Sequence, residues 1–241
     1  MKPDEIDKIL AQAADRALPP GAGHVAMERA ESAILNDLHP VRPLAPPWVF
    51  TVVFASLFVA ISVGVASVLG MRGMHALSPG QRSLIFPTLV AAAWFAAVGC
   101  AREMRPAAGS RLGAVTLVLS AAAFSGLFSL IFHGYSTQNF VPEGVRCLVI
   151  GLGVSIPAGL VIACILRCGH VMDWSMAGLA AGALSGLTGF GMLELDCTNL
   201  KAIHAMTWHV AVLVSSGLLG YTGGWIAEYF GRVESRKATC I

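Results

Sequence analysis

Six stretches of this chain are apolar all the way round a helix: 48–70, 83–101, 112–132, 147–166, 174–193 and 203–227. None contains Asp, Glu, Lys or Arg, and the last carries His204 and His209. About 20 apolar residues in a helix cross the hydrocarbon core of a bilayer, and an unbroken apolar surface is stable only where lipid or protein covers it. The pattern predicts an all-α, polytopic membrane protein with six transmembrane helices over residues 47–230. Six crossings place both termini on one side.

The first 46 residues read differently. The run PDEIDKILAQAADRAL sets Ile6, Ile9, Leu10, Ala13 and Ala17 on one helical face and ends at Pro19-Pro20-Gly21. A second helix, from about Val25 to Leu38, aligns Met27, Ala30, Ile34 and Leu38 before the prolines of HPVRPLAPPW break it. Two short helices cannot build a core. Their apolar faces need a cytoplasmic protein, another copy of the chain or the membrane surface; otherwise the segment stays partly disordered. Residues 1–46 have no signal-peptide pattern, so the mature chain is expected to begin at Met1. Residues 231–241 form a short C-terminal tail.

Composition agrees with the pattern. Hydrophobic residues make up 56% of the 241 residues and charged residues 12%, about half a soluble domain's share. A net charge of +2 leaves no footprint for nucleic acid, and no cofactor motif is present. The distribution of the 16 basic residues says more. With the N-terminus inside, twelve fall on the inner face: Lys2, Lys8, Arg16, Arg29, Arg42, Arg102, Arg105, Arg111, Arg167, Arg232, Arg236 and Lys237. Four fall outside: Arg72, Arg82, Arg146 and Lys201. The positive-inside rule then reads N-in/C-in.

The fifth stretch, WSMAGLAAGALSGLTGFGM, repeats Gly178, Gly182 and Gly186 every four residues, with Ala177, Ala181, Ser185 and Gly189 beside them. A phosphate cradle needs a Lys and an aqueous turn after a strand, and neither is here. Small residues at this spacing let helix backbones approach closely in lipid. Gly217, Gly220 and Gly224 suggest a similar contact on the sixth helix, and Pro157 is expected to kink the fourth.

Sorting the six cysteines by side separates two of them. Cys100, Cys164, Cys168 and Cys240 fall towards the cytoplasm, where thiols stay reduced. Cys147 opens the fourth helix and Cys197 follows the fifth, both at the outer surface. Free thiols, a disulfide or a metal-bound pair are all open to them. Around Cys197 runs ELDCTNLKAIHAMTWHV, in which Thr198 or Asn199 is expected to cap the sixth helix. His204 and His209 stand five apart, so a regular helix sets them about 140° from each other. A metal would need ligands from several segments: Cys147, Cys197, a histidine, and Glu194 or His133. Spacing alone argues against a permanent structural metal. The ordinary reading of His204 is an interfacial residue near Trp208, and of His209 a buried polar contact.

Taken in order, several pieces resemble one family. NDLHPVRPL at 36–44, CL at 147, Pro157, LR at 166–167 with Gly169, AGLAAGALSG, the cysteine-bearing turn and WH at 208–209 are similar to the six-helix NrsF-like negative regulators of sigma factors. The resemblance implies an anti-sigma factor that holds an extracytoplasmic-function sigma factor at the bacterial inner membrane and releases it under stress. It also implies that Cys147 and Cys197 take part in sensing, with a metal ion or oxidant as the signal and His204 and His209 nearby. Ile9, Leu10, Ile34, Leu38 and Arg42 are then the expected sigma-binding residues. Where the family pattern calls for HC and WY, this chain has Asp196-Cys197 and Trp208-His209, a departure that bears on which signal is read. Two other functions compete. A membrane thiol oxidoreductase needs a second dithiol beside the two separated outer cysteines. A solute or metal transporter needs more ionisable chemistry at mid-membrane than His209. The regulator, not an enzyme, fits best.

Overall fold

The structure, a computed structural model, describes residues 28–29, 31–33, 45–105 and 111–238, with side chains as far as 230. The chain divides into two units, Met1–Leu44 and Ala45–Ile241. In the first, residues 28–29 and 31–33 are helical and exposed. Ile9, Leu10, Ile34, Leu38 and Arg42, the expected partner-binding residues, lie outside the described residues, as does the helix expected over residues 4–17.

The second unit is built from helices: α1 (Pro47–Leu69), α2 (Arg72–Ala76), α3 (Pro79–Glu103), α4 (Leu112–Ile131), α5 (Phe140–Leu166), α6 (Trp174–Asp196), a single turn α7 (Ala202–His204), a π-turn (Ala205–His209) and α8 (Val210–Ala238). There is no strand among the described residues. Six helices are long and apolar enough to cross a membrane, the last running through α7, the π-turn and α8 over Ala202–Phe230. Their ends are set locally. Ser78 and Gln81 form a capping box at the start of α3, with Pro79 in its first turn. Asp173 caps α6 through Met176 N–H, and Gly70, at φ 113°, ends α1 in the left-handed conformation that glycine adopts without strain.

Several spans run longer than their apolar cores, and two of these bear on the site. The fourth begins at Phe140 rather than 147, and the fifth extends to Asp196 rather than 193. Cys147 therefore sits two turns inside a helix, and Glu194 belongs to a helix rather than a turn. Polar residues at both ends were read as loop because hydropathy drops there, although the hydrogen-bonded helix continues.

Burial shows how the bundle is arranged. On α1 the buried positions Thr51, Phe54, Phe58, Ser62 and Ala66 form one stripe, yet the opposite face exposes Val52, Val59, Val63 and Val68. Both faces are apolar, as suits a helix between protein and lipid. α6 is different: 83% of its most apolar 18-residue stretch is buried, against 22% for those of α1, α4 and α5. It is the central post.

The most extensive contact in the bundle is α6 with α8, and the next is α6 with α5. A Cβ on Gly182 would collide with the Ser216 carbonyl, and one on Gly178 with the Gly220 carbonyl. The glycine ladder thus seats the last helix. On its neighbouring face Gly189 meets Gly151 and Ser155 of α5, and Ser185 meets Gly159. The polypeptide runs up and down, so one end of the bundle carries α2, the start of α5, the end of α6 and the π-turn. The other carries Met104, whose carbonyl accepts from His170 N–H at 3.0 Å, and Arg167.

Candidate functional site

At the first of these ends, four side chains converge. Cys147 comes from α5, Cys197 from the residue after α6, His204 from α7 and His209 from the end of the π-turn. One ligand atom from each lies within 4.8 Å of the others. The sulfurs of Cys147 and Cys197 are 3.7 Å apart, and Cys197 Sγ is 3.8 Å from His204 Nε2. Both histidines are buried, and both cysteines are half-buried.

The π-turn is what brings the two histidines together. A regular α-helix would leave them far round from each other, but Val210 N–H bonds to the Ala205 carbonyl, five residues back. A π-turn holds one extra residue and so stacks positions five apart on one face. The imidazole centroids end 5.3 Å apart with their planes at 82°. This corrects the regular-helix expectation. The cap expected at Thr198 or Asn199 differs too: the helix starts after Lys201, and Asn199 instead accepts from Lys201 N–H within the turn at 3.1 Å.

Glu194, two residues before the end of α6, is the fifth member. Its Oε1 is 2.6 Å from His209 Nδ1, and both groups are buried. A carboxylate only accepts hydrogen bonds, so His209 donates through Nδ1, and its Nε2 takes no part in this contact. That Nε2 has no hydrogen-bond partner, nor has His204 Nδ1, nor Trp208 Nε1. Sequence reasoning included Glu194 as a possible ligand; its place behind His209 emerges only once α6 runs to Asp196. His133, also considered as a ligand, is exposed and outside the cluster.

The surroundings hold this geometry. The Trp208 indole fills the space where Gly144 lacks a side chain, one turn before Cys147, and stacks obliquely on Phe140 at 5.5 Å. Gly73 of α2 lies against the Cys197 backbone, and Arg72 reaches Asp196 at 3.4 Å. That ion pair is open to solvent and worth little by itself. Outside the spanning helices, the Cys197 thiol is pushed above its ordinary value by its hydrogen bond with Cys147 and then by burial.

Two thiols and two imidazoles, with a carboxylate behind one of them, can bind a soft or borderline metal ion or undergo thiol oxidation. The family described as negative regulator of sigma F (NrsF) matches residues 35–227, well over half of the chain. The chain belongs to the NrsF family. No curated protein and no solved structure matches it. The match takes in all six spans up to Ala227, the juxtamembrane segment from residue 35 and all members of the Cys147–Cys197 cluster.

Proposed function

We propose that this NrsF chain is an anti-sigma factor of the bacterial inner membrane, with both termini in the cytoplasm, and that it acts by binding rather than by catalysis. Residues 1–46 hold an extracytoplasmic-function sigma factor, and engagement of the outer Cys147–Cys197 cluster by a soft metal ion or an oxidant releases it. The observation that carries this reading is the convergence of Cys147, Cys197, His204 and His209 within 4.8 Å, in a chain whose family is described as a negative regulator of sigma F. The inward orientation of the tail is supported by the twelve basic residues of the inner face against four on the outer.

The link between the two ends runs along helices. α5 carries Cys147 near one end and is followed by Arg167 at the other. α8 is locked to α6 by the glycine ladder, so those two move as one body. Between α5 and this pair, towards the Arg167 end, lies a cavity of about 290 Å³ lined by Leu160, Ala163, Gly178, Gly182 and Ser216. A change in how Cys147 is tied to Cys197 can therefore tilt α5 into open space and alter the Arg167 end of the bundle. The partner half of the proposal is tested with a tagged full-length chain: charged substitutions at Ile9, Leu10, Ile34 and Leu38 abolish capture of the sigma factor at unchanged membrane levels. Capture by a chain lacking residues 1–46 would overturn that half.

A further inference from the structure

We infer that the Cys147–Cys197–His204–His209 cluster is a four-ligand site for a divalent, tetrahedral d10 ion of the zinc class, with Glu194 as the residue that positions His209. This rests on the reading of the cluster as the sensing site and narrows it from thiol chemistry in general to coordination.

Bond geometry separates the alternatives. Two thiolates about 2.3 Å from one tetrahedral ion stand about 3.8 Å apart, and a thiolate and an imidazole about 3.6 Å. The observed separations are 3.7 Å between the sulfurs and 3.8 Å from Cys197 Sγ to His204 Nε2. A disulfide would bring the sulfurs to about 2.05 Å. A two-coordinate linear ion at the same bond length would hold them about 4.6 Å apart. Cys147, Cys197 and His204 thus have two of their separations at tetrahedral values, and His209 offers its nitrogen within 4.8 Å of the other three.

Burial and charge point the same way. His209 Nε2 is a nitrogen without a hydrogen-bond partner on a buried residue, within 4.8 Å of both sulfurs, a placement that costs free energy unless something binds there. Two thiolates and the Glu194 carboxylate bring three negative charges to one end of an apolar bundle. A divalent ion leaves one of them uncompensated and a monovalent ion leaves two, which favours the divalent ion in a site of low dielectric. Glu194 accepting the His209 Nδ1 proton repeats the carboxylate–histidine–metal arrangement that fixes the tautomer and raises the basicity of the coordinating nitrogen. The ligands bridge α5, the end of α6 and the π-turn, so the ion would fasten these elements at one point.

The test uses the full-length chain, purified in detergent and stripped with a chelator, titrated with Co²⁺ and then Zn²⁺. The expected result is one Co²⁺ per chain, with the intense visible bands of a tetrahedral ion and thiolate-to-cobalt charge transfer, displaced by Zn²⁺. Cys147→Ser and Cys197→Ser each reduce the charge transfer to about half at unchanged helical content, and His204→Ala and His209→Ala change the visible bands while retaining it. Glu194→Gln keeps the spectrum but weakens Zn²⁺ binding about tenfold to hundredfold, whereas a purely structural Glu194 would leave the affinity unchanged. A weak six-coordinate spectrum, or one indifferent to the cysteine variants, overturns the inference. If no ion binds yet both cysteines remain necessary for release of the sigma factor, coordination is wrong and the sensor reading survives. If the ion binds and the cysteine variants still release normally, the metal site stands and the sensor reading fails.

Discussion

The neighbours of Cys197 act on its proton in opposite directions. The hydrogen bond with Cys147, followed by burial, raises the thiol's pKa, while His204 and His209 lower it, and the net shift is upward. A raised value means that the folded chain holds this proton more tightly than the unfolded chain. The resulting stability is complete below the ordinary thiol value and is lost as pH rises through the raised one. Two outcomes follow for the ion-free protein. Alkylation of Cys197, followed by peptide mass spectrometry, is slow near neutral pH and accelerates only above the ordinary thiol range, and Cys147→Ser shifts that acceleration to lower pH. Equal rates in the two proteins would contradict the assigned cause. The nearness of the two cysteines was legible in the sequence because depth follows from hydropathy, which sets both at facing ends of consecutive apolar runs. Glu194 was less so, since a carboxylate at the end of an apolar run reads as the start of a loop. Only the continued hydrogen bonding of α6 turns it inward.

Helices, not single residues, decide whether the site exists. The spacing of His204 and His209 argued against cooperation because the sequence was read with the α period, and no residue in Ala205–His209 announces a π-turn. Deleting Val210, the residue that closes that turn, returns the helix to the α register with the two histidines still five apart. The expected outcome is a chain with unchanged helical content that no longer binds Co²⁺ in a tetrahedral site, because His209 is rotated away from His204. Retained tetrahedral binding would show that the π-turn is incidental. The glycine ladder was legible as a close helix contact. Its principal partner was not, because the spacing of small residues marks a surface without saying which helix covers it. Gly178 and Gly182 face α8, while Ser185 and Gly189 of the same helix face α5. A methyl group on Gly182 meets the Ser216 backbone, so Gly182→Ala should destabilise the bundle by about 1–3 kcal/mol, seen as a lower unfolding midpoint in detergent. No change in midpoint would mean that α6 and α8 are not locked.

For the whole molecule, the account is a sensor at one end of a six-helix bundle and a partner at the other. The six spans and their order were legible because lipid imposes a length and an apolarity that composition reveals directly. The two-sided arrangement rests on the twelve-to-four distribution of basic residues. Reporter fusions after residues 46, 108 and 240 are therefore expected to report cytoplasm, and fusions near 77, 138 and 198 the outside. A cytoplasmic signal at 198 would remove the basis for outer-face sensing. The most direct test of the central claim is release itself. Membranes carrying the full-length chain with its captured sigma factor are exposed to a soft metal ion or a thiol oxidant, and the sigma factor freed into solution is measured. The wild-type chain releases its partner. Cys147→Ser, Cys197→Ser and the double variant retain it to the same degree, as expected of residues acting as one unit. Normal release by the double variant would contradict the account and leave the cluster without a part in regulation.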